Sequence, residues 1–113
     1  MNISYEQIGH LSVTFPADGC KESAVCKINS TGKAGACSAG DGFIGVVESV
    51  NGTQAGVQVA GFAQVSYSGS STPTPGYVKL SADGSGGVKV DSAGVGYWVV
   101  RVDSTAKTLI VKL

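Results

Sequence analysis

Apolar and polar residues alternate along most of the chain with a period of two, the spacing of strands that bury one face. Phe43 to Val50 is the clearest such run, and Asn51-Gly52 follows it. An Asn-Gly pair between two Val-rich runs is a strong hairpin signal, because a two-residue turn of matching twist needs φ > 0. A turn centred there pairs Val50 with Thr53, Val46 with Val57 and Ile44 with Val59, giving one apolar face across both arms. The second arm runs from Ala55 to Tyr67. It places Val57, Val59, Gly61, Ala63 and Val65 on one side, and Gly61 marks a bend or bulge.

Shorter alternating runs predict strands at Leu11 to Phe15, Ala24 to Asn29, Tyr77 to Leu80, Val88 to Val90, Tyr97 to Asp103 and Lys107 to Leu113. Gly35 to Ser38 reads as a short return strand. In the last hairpin Trp98, Val100 and Val102 share a face with Leu109, Val111 and Leu113. That places the sole tryptophan in the core, where such a ring buries ~200 Å². Ser68 to Gly76 contains two prolines and predicts a loop, since proline lacks the ladder donor. Helical spacing is confined to Ser4–Gly9 and Lys21–Ala24, both too short for a stable helix. The expected fold is all-β: a small antiparallel barrel or sandwich of about eight short strands with hairpin connections, closed to limit free edges. Residues 1–15 form an N-terminal arm or first strand, and residues 16–113 a single β domain.

A length of 113 residues fits one domain. Many of the 17 glycines sit in turn-like pairs such as Asp18-Gly19, Asp83-Gly84 and Gly86-Gly87. Charged residues make up only 14% and the net charge is zero. That balance argues against nucleic acid as a partner, and a weakly charged surface suits a protein working in contact with others. No run approaches the ~20 apolar residues of a membrane helix, so no membrane partner is expected. No basic segment followed by an apolar one opens the sequence, so export by the general route is not expected.

Candidate chemistry is sparse. Gly40-Asp-Gly-Phe-Ile-Gly45 matches G-x-G-x-x-G, but a β-branched run follows where a dinucleotide site needs a helix. Cys20, Cys26 and Cys37, with His10, supply the residue types of a zinc site or a Cys–His pair. Their spacing lacks a C-x-x-C knuckle, and buried free thiols are the simpler expectation. Cys20 and Cys26 are the pair closest in sequence to a disulfide. The acids sit mostly at turns, where they bond local backbone. No catalytic residue, cofactor or metal is therefore expected, and the chain is not expected to be an enzyme. Tyr67 and Tyr77 flank the proline loop and are candidates for a small sugar-binding platform. A carbohydrate- or cell-surface-binding module is thus the alternative class.

The stretches "FIGVVESVNGTQAGVQVAGFAQVSYSG", "PGYVKLSADGSGGVKVDSAG" and "YWVVRVDSTAKTLIVKL" resemble small β proteins of tailed-phage and prophage head clusters, of the capsid decoration or cement type. The shared pattern is a strand like Phe43–Val47, a second like Val57–Gly61, a glycine-rich turn across Gly76–Val88 and a final hairpin over Val99–Leu113. It spans roughly residues 36–113; the cysteines lie outside it as a motif. The resemblance implies a virion structural protein on the outer capsid surface, present in the host cytoplasm before assembly. Its partner would be the major capsid protein, which it would stabilise by bridging capsomers, either as a monomer or as a homotrimer. In that setting Ile3, Tyr5 and Ile8 are the expected capsid or subunit contacts, because an arm that orders on a neighbour must bury apolar side chains to offset lost entropy.

Overall fold

The computed structural model describes residues 10–113. Ten strands follow one another: β1 (Leu11–Asp18), β2 (Val25–Ile28), β3 (Ala34–Ala36), β4 (Gly45–Asn51), β5 (Gln54–Ala60), β6 (Phe62–Ser66), β7 (Gly76–Ala82), β8 (Val88–Val90), β9 (Val95–Asp103) and β10 (Thr108–Lys112). No helix occurs among the described residues. The all-β class is as the periodicity indicates, with ten strands in place of about eight. One pairing departs from an antiparallel scheme: β1 and β3 run parallel. The expected contact residues Ile3, Tyr5 and Ile8 lie outside the described residues.

The strands form two units. β1–β5 close into a barrel in the order β1-β3-β2-β4-β5, and β6–β10 form a sheet in the order β6-β10-β9-β7-β8. The edges of that sheet meet through a parallel bridge between Tyr67 and Val88, where the Ser68 N–H donates to the Val88 carbonyl at 2.9 Å. The chain crosses between units at Gly61, whose φ of 91° permits the predicted bend. Gln58 secures this corner from a buried position. Its side-chain amide donates to the carbonyls of Ala60 at 3.1 Å and Phe62 at 2.9 Å, so the corner's backbone acceptors are satisfied.

Each unit has its own apolar cluster. Cys20, Cys26, Ala34, Val47, Ala55 and Val57 fill the barrel, with Phe15, Ala17, Val50 and Val59 packed around them. The second cluster joins Ala63, Val65, Tyr67, Leu80, Ala82, Val88, Val99, Leu109 and Val111 to Val25, Phe43 and Val46 of the first unit. The barrel's outer face therefore lies against the inner face of the sheet. Phe43 stacks on Tyr97 across this junction, ring centroids 4.9 Å apart and planes 11° from parallel.

The β4–β5 hairpin corrects the expected register. Asn51 pairs with Gln54, so Gly52 and Thr53 make the turn, and a bulge at Glu48 sets Val47 opposite Val57 and Val46 opposite Gln58. Val46 does not face Val57, nor Ile44 Val59. The physical reason is that both faces of β4 are buried: Val47 points into the barrel and Val46 into the junction. A strict alternation assumes one wet face. Trp98 is the second correction. A bulge at Val100 in β9 sets Val99, not Trp98, on the core side with Val111, and Val102 with Leu109. Trp98 is 57% exposed on the opposite face.

Leu109 is 1% exposed and fills the second cluster. Leu109→Ala should lower the unfolding free energy by about 3 kcal/mol, read from the midpoint of a urea or guanidinium titration at unchanged m-value.

Candidate functional site

The outer face of the second sheet carries the most conspicuous exposed side chains. Tyr77 on β7 and Trp98 on β9 lie directly opposite one another, 62% and 57% exposed. Their centroids are 5.5 Å apart in an edge-to-face arrangement at 62°, a favoured geometry for aromatic pairs. The Tyr77 ring lies over Gly96, where any Cβ would collide with the ring. A glycine on the neighbouring strand thus leaves the space that the ring occupies. The expected Tyr67–Tyr77 platform does not form. Tyr67 is 5% exposed and faces the core, with the Lys107 ammonium 5.7 Å above its ring. Trp98 takes its place beside Tyr77.

Cations surround this pair. Register places Lys79 opposite Gly96, Lys112 opposite Trp98 and Arg101 opposite Ile110, all three exposed. Of the nearby acids, Asp103 accepts N–H bonds from Thr105 and Ala106 in its own turn. Asp91 accepts the Ser81 hydroxyl at 2.7 Å and the Ala93 N–H at 2.9 Å, and those bonds hold its carboxyl below the ordinary range. Among the described residues, the ion pairs are Lys27–Asp41 and His10–Glu48, so none of these three cations has a carboxylate within bonding reach.

The residues with nucleophilic or ligating potential are dispersed. Cys20 and Cys26 are buried in the barrel and Cys37 is half-buried, all as free thiols. Burial, reinforced by the neighbouring Cys20 and Cys37, pushes the Cys26 thiol up to about 12, which leaves it protonated and inert at neutral pH. Burial also raises Cys37, with the Asp41 carboxylate adding to the effect. Cys37 borders a cleft of about 420 Å³ between the units, lined by Lys21, Glu22, Ser23, Ser66 and Gly86, without an imidazole to activate the thiol. Among the described residues no cluster of three or more His, Cys, Asp and Glu side chains is suited to a metal ion.

His10, Ser12 and Glu48 do come together, a grouping the sequence spacing hid. The residues match a hydrolytic triad in type but not in geometry. His10 Nε2 alone approaches both Ser12 Oγ at 2.9 Å and Glu48 Oε1 at 3.3 Å, and the Ser12 hydroxyl donates to Glu48 directly. A triad needs the two ring nitrogens on different partners, so that the acid orients the base. Here the three groups tie β1 to the bulge of β4.

Comparison with protein-family models, with curated proteins and with solved structures finds no match for this chain.

Lys27 Nζ lies 2.6 Å from Asp41 Oδ2, and the Ser38 N–H donates to the same oxygen at 2.8 Å. The hydrogen bond from Lys27, then that from Ser38, lowers the Asp41 pKa from 3.8. A carboxylate depressed in the folded state stabilises it above its unfolded pKa, and this contribution disappears as pH falls through the folded value. Asp41→Asn should therefore melt below the parent protein at pH 7, with the gap closing as the pH falls below 3.8; thermal denaturation across the acid range measures it. The thiols yield a second test. Under native conditions Cys37 should react with a maleimide slowly, and Cys20 and Cys26 only on unfolding, so mass spectrometry should count one label before denaturation and three after.

Proposed function

We propose that this chain is a structural protein of a tailed phage or prophage, binding the outer capsid surface and stabilising the head by bridging capsomers. The observation that carries the reading is the exposed Tyr77–Trp98 pair, set among unpaired cations on a domain with no catalytic constellation among its described residues. Large aromatics on an otherwise bare surface mark a contact site more often than chance. The resemblance across residues 36–113 supplies the class of partner, the major capsid protein. Each copy needs only a modest affinity, because a shell offers many equivalent sites and a bridging copy engages more than one subunit at once. The chemistry proposed is adhesion, with no bond made or broken and no cofactor. The protein would reside on the virion surface after a period in the host cytoplasm.

The second reading, a carbohydrate- or cell-surface-binding module, draws on the same aromatic pair. Rings inclined at 62° do not offer one continuous plane to a sugar chain, which places this reading behind the first.

Undecorated capsids assembled from the major capsid protein of the same genome provide the direct test. Purified protein should cosediment with them to a saturating stoichiometry and raise the temperature at which they rupture. Protein left wholly in the supernatant at micromolar concentration would overturn the capsid reading. A glycan array with binding lost in Tyr77→Ala would install the second.

A further inference from the structure

The two units share one plan. Around the barrel from β1 the strand order is β1, β5, β4, β2, β3; across the sheet from β6 it is β6, β10, β9, β7, β8. Each strand of the second unit occupies the place of the strand five earlier. The directions agree as well. β1 and β3 are parallel, and so is the Tyr67–Val88 bridge that joins β6 to the start of β8; every other pairing in both units is antiparallel. One irregularity repeats as well: one bulged residue follows Val47 opposite Val57 in β4, and one follows Val99 opposite Val111 in β9, whereas the shift between β1 and β5 has no counterpart between β6 and β10. Ser38-Ala-Gly-Asp-Gly-Phe43, before β4, and Ser92-Ala-Gly-Val-Gly-Tyr97, which runs into β9, also echo each other in sequence, two residues out of step with the bulges.

The matched bulges fix which residues correspond. Val46 precedes Val47 as Trp98 precedes Val99. Val25 pairs with Val46 as Tyr77 pairs with Trp98. Lys27 therefore corresponds to Lys79. In the first unit this face is covered by protein: Val25 is 1% and Val46 6% exposed, beneath the second sheet. Lys27 beside it has its carboxylate in Asp41. Among the described residues nothing covers the same face of the second unit: Tyr77 is 62% and Trp98 57% exposed. The counterparts of Val25 and Val46 are the larger Tyr77 and Trp98, and among the described residues no carboxylate pairs with Lys79.

From this correspondence, and resting on the capsid reading above, we infer that the β7–β9 outer face, centred on Tyr77, Lys79 and Trp98, is the surface that docks on the shell. Its counterpart is a protein surface with an apolar centre to receive the two rings and an acidic side chain placed for Lys79. Lys79, Arg101 and Lys112, without an ion pair among the described residues and on a chain of zero net charge, give this face a positive sign, and an acidic partner complements it. Trp, Tyr and Arg are also the residue types that dominate measured binding energy at protein interfaces.

Cosedimentation with the same undecorated capsids separates this inference from the reading beneath it. The variants are Trp98→Ala, Tyr77→Ala and Lys79→Glu, with Lys33→Glu on the far unit as control; all four positions are exposed, and unchanged melting temperatures confirm their folds. The expected result is at least about tenfold weaker binding for Trp98→Ala, a loss of similar direction for the other two, parent affinity for Lys33→Glu, and a shallower salt dependence for Lys79→Gln. Parent affinity in all three face variants would place docking elsewhere and overturn the inference while leaving the capsid reading intact. No binding by the parent protein would overturn both. Glycan binding lost in Tyr77→Ala, with capsid binding retained, would reassign the face to a sugar.

Discussion

The second unit lacks a complete interior of its own, and the outer face of the first barrel supplies the missing side. Phe43, Val25 and Val46 enter the cluster formed by Leu80, Val88, Val99, Leu109 and Val111. Tyr97 stacks on Phe43 and donates its hydroxyl to the Phe43 carbonyl at 3.3 Å. Backbone bonds reinforce the seam: Val25 N–H to Gly86, Gly40 N–H to Ala82 and Ala82 N–H to Asp41. A sheet of five short strands with a wet inner face would not hold at this size. Against the barrel it gains a dry one, so the two units stabilise each other through a single boundary.

That boundary dictates local chemistry on both sides. The β7–β8 turn presses on the first unit, where a Cβ on Gly84 or Gly86 would meet Ala39 or Ala24 at 3.2 Å, and both glycines have positive φ. Asp83 holds this turn by accepting the Ser85 and Gly87 N–H groups on one oxygen and the Ser68 hydroxyl on the other. The first strand of the junction is constrained as tightly: at Gly45 any Cβ would strike the Gln58 carbonyl. Glycines that read as punctuation in the sequence are thus divided between turns and close backbone approaches.

The period of two made the fold class and most strand positions legible, because an alternating pattern survives in any antiparallel pair with one exposed side. It failed where that premise fails. Val46 and Val47 are both buried, on opposite faces of β4, and no single-face register accounts for both. It failed also across the bulges at Glu48 and Val100, which change the inward parity within a strand and leave no residue type as a marker. Trp98 was misplaced for that reason: Val100 and Val102 sit two apart, yet only Val102 packs on the cluster. The candidate site was half legible. Tyr77 stood out beside the proline loop, but Tyr67 was equally plausible until its inward direction was known. The signal that points to Trp98 is the repeated Ser-Ala-Gly-x-Gly-aromatic motif, which aligns Phe43 with Tyr97 and sets Trp98 against the exposed Ile44, just past an inward aromatic.

Duplicated units that stack face to back have one back too many. The first unit spends its outer face on the second, and among the described residues nothing covers the outer face of the second. Replacing a bare face with polar residues would be the neutral solution for a protein that acts alone. At the places that Val25 and Val46 take in the first unit, the second carries Tyr77 and Trp98, with the tyrosine ring over Gly96. The missing side chain at Gly96 leaves room for the Tyr77 ring against the backbone, while the ring stays 62% exposed. The same residue choices add nothing to a core that Val99, Val111 and Leu109 already complete from the other side of the sheet. The cost of exposing two large rings is therefore a property of the isolated chain, relieved only when something of matching shape covers them.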